Sequence, residues 1–411
     1  MSQPQRCRAC GSTSLHTVVD LGASPLSNAY LSADALAGPE VFYPLHAKVC
    51  EACFLVQLPE LVAPSEIFTD YAYFSSYSSS WSAHAAQYAE LMVAELSLGP
   101  SHTVVEVASN DGYLLRHFHD RGIRVLGIEP ARNVADVARA AGIDTLSEFF
   151  GRGLAERLVS EGVRADLLAG NNVLAHVPDL HDFVAGLSVL LAPRGTLTME
   201  FPHLLRLLER NQFDTIYHEH FSYLSVRVVE RLFARHGLAL VHVEELPTHG
   251  GSVRVVAAHA AEGRARGDSV DRVLQLEDAA GLSNLGTYLA FGARVQQTKR
   301  RLLAFLIEQH ERGRRVAGYG APAKANTLLN YCGIRSDLIE YTVDLSPHKQ
   351  GRFLPGTRIP VHAPSRLAET RPDVIVILPW NLRDEIAASL AHTRAWGAQL
   401  VVPIPTVDVV A

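Results

Sequence analysis

Residues 84–98 carry apolar side chains at helical spacing and predict an amphipathic helix. The pattern then changes. Thr103-Val104-Val105-Glu106-Val107-Ala108 is a β-branched run of strand length. It ends in Ser109-Asn110-Asp111-Gly112-Tyr113, and a helix starts with residues 114–118. A second strand is expected over 124–130, followed by a helix with Val134, Val137 and Ala138. A third covers 166–169 and runs out at Asn171-Asn172, and a fourth covers 195–200. Strand–helix alternation at this spacing predicts an α/β fold, a parallel sheet with crossover helices. Ligands of such sheets sit at the carboxyl ends of the strands. Residues 226–236 read as a helix capped by Ser225, and 287–310 as a longer amphipathic helix. A second, smaller doubly wound unit follows, opening with the run 315–324 and a helix containing Thr327 and Leu328, with later strands at 339–344, 374–378 and 400–403.

The chain has 411 residues, enough for two or three domains. With 48% hydrophobic and 19% charged residues it is a globular composition, not a disordered one. A net charge of −6 gives no basic field for nucleic acid or an anionic membrane. No apolar run reaches the ~20 residues of a membrane helix. The expectation is a soluble, cytoplasmic protein without nucleic-acid or membrane partners.

Four of the five cysteines form two pairs, Cys7-x-x-Cys10 and Cys50-x-x-Cys53. Two such knuckles supply four thiolates to one tetrahedral zinc ion, with no position left for substrate. The predicted site is therefore structural. The competing readings, redox thiols or a disulfide, fit poorly with a reducing compartment and with the lack of a thioredoxin pattern around either pair. Cys332, in an apolar context, reads as a core thiol.

Glu106 lies in the first strand and Glu129 ends the second, where an acid accepts hydrogen bonds from ribose hydroxyls. That fits NAD or S-adenosylmethionine. A dinucleotide site wants Gly-x-Gly-x-x-Gly. Here the turn has one glycine, and Asn110 and Asp111 fill it, which suits a cationic, phosphate-free ligand.

The stretch Gln212-Phe-Asp-Thr-Ile-Tyr217-His218-Glu219-His220-Phe-Ser-Tyr-Leu-Ser225 is the densest in chemistry. It reads as an acid–base centre, as a metal site completed by His203 or His249, or as a polar helix start. The serine- and tyrosine-rich residues 71–81 read either as a loop capping the next helix through serine or as a lid over a polar ligand. Near the C-terminus, Gly318-x-Gly320 opens a helix. It is either a packing turn or a diphosphate site using Tyr319, Gly320, Ala321 and Lys324, with Lys349 and Arg352 nearby.

Several motifs recur together in one family: the paired knuckles, the Tyr-x-Tyr-x-Ser-Ser stretch, Glu-Val-Ala-Ser-Asn-Asp-Gly, Gly-Ile-Glu-Pro, Asn-Asn-Val-Leu-Ala-His-Val-Pro, Ile-Tyr-His-Glu-His-Phe-Ser-Tyr-Leu-Ser, Thr-His-Gly-Gly-Ser-Val-Arg and Gly-Tyr-Gly-Ala-Pro-Ala-Lys. From about residue 7 onward the sequence resembles the S-adenosylmethionine-dependent C-methyltransferases of nucleotide-linked 4-keto-deoxyhexoses, a group that includes the 3-C-methyltransferase of D-tetronitrose biosynthesis. The resemblance implies a zinc-binding module (1–68), a Rossmann-like methyltransferase domain (69–282) and a C-terminal Rossmann-like substrate domain (283–411). It implies zinc ligands Cys7, Cys10, Cys50 and Cys53. Glu106, Asn110, Asp111, Gly112, Glu129, Pro130 and Asn171 would bind the methyl donor. Tyr217, Glu219 and His220 match the catalytic Tyr-x-Glu-His, His176 a second active-site histidine, and Tyr73 an active-site tyrosine. His218 stands where other members carry Asp. Ala108 replaces the glycine of the commonest methyltransferase turn. Oxidoreduction with NAD, or methylation of another acceptor, is the alternative function. A monomer is expected.

The implied chemistry explains the residue types. Carbon methylation needs a carbanion equivalent. His220 would remove the proton next to the ketone, because imidazole titrates near neutral pH. Glu219 or another acceptor would fix its tautomer. Tyr217 and His176 would donate hydrogen bonds to the enolate oxygen, where each preorganised donor contributes ~3 kcal/mol.

Overall fold

The computed structural model describes residues 5–67 and 74–410. Tyr73 lies outside them. The chain forms two compact units. The first comprises residues up to Leu15, Cys50–Leu204 and Phe221–Ser283; the second comprises His16–Val49, Leu205–His220 and the chain from Asn284.

The first unit holds a seven-stranded sheet. Its strands are β1 (Thr103–Val107), β2 (Arg124–Ile128), β3 (Thr145–Leu146), β4 (Ala165–Asn171), β5 (Leu191–Pro202), β6 (Leu238–Leu246) and β7 (Ser252–His259). They are ordered β3-β2-β1-β4-β5-β7-β6. The first five are parallel, and β7 runs antiparallel to both its neighbours. Period-two alternation assigns the two faces. Val105, Val107 and Leu168 pack with the helices Arg152–Ser160 and Leu180–Leu190. Val104, Leu167 and Ala169 face Trp81, Tyr88 and Met92 of the helix Ser79–Leu96, with Tyr113 and Phe118. The register aligns Val107 with Ile128, and Asn171 with Glu200, so β1, β2, β4 and β5 end on one edge.

The helix expected from residue 84 begins at Ser79, because Ser78 caps it by accepting a hydrogen bond from the Trp81 N–H. Ser225 caps the helix Val226–Ala234 in the same way through Val228. The fourth expected strand is longer, extending from Leu191 to Pro202. Strands β6 and β7 complete the sheet beyond the elements read from periodicity. The apolar alternation Val253, Val255, Ala257 marks β7's buried face.

The second unit carries a six-stranded sheet: β8 (Val316–Tyr319), β9 (Thr342–Val343), β10 (Val361–His362), β11 (Val374–Ile377), β12 (Gln399–Val402) and β13 (Asp408–Val410), ordered β10-β9-β8-β11-β12-β13. All pairs are parallel except β12–β13. The run expected as one strand over 339–344 keeps only two residues of ladder, since its outer partner β10 is equally short. The long helix is Leu285–Leu289 followed by Phe291–Glu311. Cys332 is buried, and burial pushes its thiol up to about 12. No helix among the described residues is long and apolar enough to cross a membrane.

Candidate active site

The four paired cysteines converge in the first unit. Their sulfurs all lie within 4.8 Å of one another, with 3.5 Å between Cys7 and Cys53 and between Cys10 and Cys50. A tetrahedron of ~2.3 Å Zn–S bonds has edges of about 3.8 Å, so the set fits zinc. Cys7, Cys50 and Cys53 are buried. Thiolates gathered this closely repel one another without a cation, so the sulfurs cannot all ionise unaided. A hydrogen bond from Cys53 draws Cys7 down to about 5, while Cys53 itself is pushed up by the same partner and by burial. Among the described residues this is the one group of three or more potential ligands able to share an ion. The metal reading of the His218–His220 stretch finds no such group. His203, offered as a further ligand there, instead bonds Glu277 at 2.7 Å.

At the strand-end edge of the same unit, three carboxylates gather. Glu129 accepts the N–H of Asn110 on one oxygen (3.0 Å) and of Ala131 on the other (2.9 Å). Burial still raises its pKa, with Asp111 adding to the rise. Glu106 is fully buried, and burial holds its pKa well above the carboxylate range. Tyr113 works against that shift, while Asp111 and Glu129 add to it. Asp111 accepts the Ser76 N–H on one oxygen, and its other oxygen is buried without a partner. Asn110 accepts the Ser75 N–H at 2.8 Å, so the segment before the first helix is pinned onto this turn. Asn171, ending β4, donates to the Tyr113 hydroxyl at 3.1 Å. Pro130 follows Glu129 half-buried, and Gly112 turns the chain at φ +75° against Ile143. Clustered acids with an orphaned buried oxygen fit a ligand that carries positive charge and hydroxyl donors.

Ala108 adopts φ +58° and Asn110 φ +49°, the left-handed region that favours glycine. The turn therefore keeps its shape although glycine is missing at 108. Holding alanine there costs on the order of 1–3 kcal/mol. Ala108→Gly relieves this at a smaller cost in unfolded-chain entropy. The variant should gain about 1 kcal/mol in urea denaturation. An unchanged or lower midpoint would show that the turn is not strained.

His176 ends a short 3-10 turn, Leu174–His176, and is half-buried in the first unit. The second unit carries the Tyr-x-Glu-His residues. The Nδ1 of His220 lies 2.9 Å from the Thr215 carbonyl, and its ring centre lies 4.1 Å from that of Tyr217 with the planes tilted by 35°. Since a carbonyl only accepts, Nδ1 carries a proton, which in the neutral ring leaves the lone pair on Nε2. Glu219 is buried and accepts from Asn28 at 2.6 Å. His218 packs inward, 3.2 Å from the Pro44 carbonyl and edge-on to Tyr43, and burial lowers its pKa.

In the C-terminal part of this unit, Gly318 and Gly320 are required by packing. A Cβ on Gly318 would meet Thr342 at 2.8 Å, and one on Gly320 would meet Pro379 at 2.5 Å. Tyr319 is buried in the core of the β8–β13 sheet. The Ala321 N–H donates to Asp344 at 2.7 Å, and its carbonyl accepts from Lys349 at 2.9 Å. Asn28 and Asp344 went unread in the sequence. Asn28 lies in a turn with no motif of its own, whereas Asp344 ends a strand as Glu129 does and was legible by that analogy.

Known proteins decide the family. Family models match residues 247–405 as a C-methyltransferase C-terminal domain, 81–243 as a methyltransferase domain and 7–68 as a zinc binding domain. C-methyltransferase NovU of Streptomyces niveus is 37% identical over 98% of this chain and 96% of its own. The chain belongs to the S-adenosylmethionine-dependent C-methyltransferases. Its two bound groups are S-adenosylmethionine and a structural zinc ion, and the resemblance read from the motifs is borne out. Solved structures with partial likeness include magnesium protoporphyrin IX methyltransferase from Synechocystis PCC 6803 with bound SAH (15% identity, TM-score 0.34, 43% of this chain and 83% of that one). Another is CcbJ methyltransferase from Streptomyces caelestis (14%, TM-score 0.34, 43% and 89%).

Proposed function

We propose that this C-methyltransferase acts on a carbon next to the ketone of a nucleotide-linked 4-keto-deoxysugar, the nucleotide being dTDP, through an enolate raised by His220. The observation that carries the reading is the hydrogen bond from His220 Nδ1 to Thr215. With the Nδ1 proton donated there, Nε2 is the nitrogen that would take the α-proton. Half-buried Tyr217, beside that ring, offers a hydroxyl to the enolate oxygen. His176 is assigned the same task. Glu219, fixed by Asn28, accepts a substrate hydroxyl or tunes the histidine pair.

Glu106, Asn110, Asp111, Gly112, Glu129, Pro130 and Asn171 would hold S-adenosylmethionine. When bound, it supplies an electrophilic methyl group on a sulfonium. The acids favour that charge, and Glu129 retains lone pairs for ribose hydroxyls. Gly320, Ala321 and Lys349 are assigned to the nucleotide part of the acceptor. On this reading residues 1–68 form the zinc module, 69–282 the donor domain and 283–411 the acceptor domain.

The test is proton exchange. A dTDP-4-keto-6-deoxyhexose incubated in D₂O with the enzyme and S-adenosylhomocysteine should lose one α-proton signal in the NMR spectrum. The same carbon should take the methyl group when S-adenosylmethionine is supplied. Methyl transfer to oxygen or nitrogen, or turnover without exchange at any α-carbon of a range of keto-sugars, would sink the proposal.

A further inference from the structure

The helix Ala323–Cys332 opens just past Gly320, where the sequence suggested a place for phosphate. Its side chains are committed elsewhere. Lys324 sets its ammonium 4.4 Å from the centre of the Trp380 ring and donates to Asn381. Trp380 donates its indole N–H to one oxygen of Asp214 at 2.7 Å, and the other oxygen of Asp214 is buried without a partner. One turn further along the helix, the Thr327 hydroxyl donates to the Ile216 carbonyl at 3.0 Å. Beside it, Asn326 donates to the Ser27 carbonyl at 2.5 Å. The next residue after Ser27 is Asn28, which donates to Glu219.

The loop 213–220 is thus gripped three times from one helix. Asp214 is held through Trp380 and Lys324, Ile216 directly, and Glu219 through Ser27 and Asn28. Thr215, whose carbonyl receives His220 Nδ1, sits between the first two grips. Asn326 is fully buried and Thr327 is 1% exposed, so the two bonds made by the helix itself are shielded from water.

We infer that the helix Ala323–Cys332 is the positioning clamp of the base. Thr327, Asn326 and Lys324, with Trp380 and Asp214, fix the Thr215 carbonyl so that His220 keeps a single tautomer and presents Nε2. This rests on His220 being the base. The clamp residues are positioning residues, not catalytic ones. They act through the place of a carbonyl, and a misplacement of ~1 Å at a reacting group costs about 100-fold in rate. It also gives the Gly-x-Gly helix start a use that a packing turn alone does not require.

The test separates position from stability. Thr327→Val keeps the shape of the side chain and loses its hydroxyl, whereas Thr327→Ser keeps the hydroxyl. In protein labelled with ¹⁵N-histidine, wild-type His220 should show one tautomer with Nδ1 protonated, and Thr327→Val should show a mixture of both. Thr327→Val should lower kcat about tenfold or more while the KM for S-adenosylmethionine stays within about twofold. Thr327→Ser should restore both spectrum and rate. Trp380→Phe, which keeps the ring and loses the N–H, should act in the same direction as Thr327→Val. A Thr327→Val protein with wild-type kcat and a wild-type His220 spectrum would overturn the clamp. So would a donor KM that rises in step with the fall in kcat, the mark of general damage. Failure of the base reading is seen separately, in wild-type enzyme that turns over without exchanging an α-proton.

Discussion

His220→Asn is expected to lower both α-proton exchange and methyl transfer by about 100- to 10,000-fold. Asparagine can keep a hydrogen bond to the Thr215 carbonyl, but it has no basic nitrogen to take a proton at neutral pH. The loss should fall on kcat, because the step removed belongs to the chemistry and not to binding. The dissociation constant for S-adenosylhomocysteine should stay at the wild-type value, since the acids assigned to the donor belong to the first unit and His220 to the second. His218→Asn is the matched control. His218 is buried against Pro44 and Tyr43, so its replacement should cost stability and leave most of the exchange rate. Exchange and methylation are measured together by NMR in D₂O. Wild-type exchange in His220→Asn would move the base to Tyr217.

Loss of zinc should have the second large effect. The structural ion should be found at one per chain by elemental analysis. Such sites contribute about 10–16 kcal/mol of apparent binding free energy, all of it available to folding. The knuckle around Cys7 and Cys10 reaches the apolar core through Cys7 and Ala9, which cluster with Cys50, Cys53 and Leu55. It is otherwise held by Arg8, which donates to the carbonyls of Leu58 and Pro178, and by the Ala9 carbonyl, which contacts His181 (3.0 Å) and Arg235 (2.9 Å). A few hydrogen bonds worth about 1 kcal/mol each cannot hold four repelling thiolates together. Cys50→Ser, or treatment with a strong chelator, should therefore release the metal and open residues 5–58 to limited proteolysis. A Cys50→Ser protein that retains full zinc and full protease resistance would contradict the four-cysteine site.

The sequence was most informative where one residue type answers one physical demand. Paired cysteines three positions apart have few uses, and both pairs meet at one point. The runs at 103–108, 124–130 and 166–169 became β1, β2 and β4 because β-branched and apolar stretches of that length bury on both faces of a parallel sheet. Their acids, Glu106 and Glu129, consequently reached the strand ends. What escaped reading was the identity of hydrogen-bond partners far away in sequence. Glu219 was the natural candidate to orient His220, but the acceptor observed is the main chain at Thr215, which no side-chain pattern reveals. Asn28 lies 191 residues from the Glu219 it holds. Lys324 drew attention as a phosphate ligand because lysine after glycine so often is one. A buried aspartate and an indole, each remote in the chain, set its surroundings. Periodicity also gives elements without saying which of them leave one unit to join the other, as residues 16–49 and 205–220 do.

That crossing has a consequence for how the protein is made. Within residues 16–49, the stretch between the strands Leu15–Ser24 and Tyr43–Cys50 takes partners from the far end of the chain: Leu31 bridges Phe353, and Glu40 pairs with Arg358 across 318 residues. At a synthesis rate of ~5–20 residues per second, those partners leave the ribosome roughly 15–60 seconds later. Cys7 and Cys10 precede the segment and Cys50 and Cys53 follow it, so the metal site can close early around these two paired strands, while the stretch between them still waits for its C-terminal partners. The connection between those two strands, with Leu31 and Glu40, therefore waits through most of translation for the residues it binds.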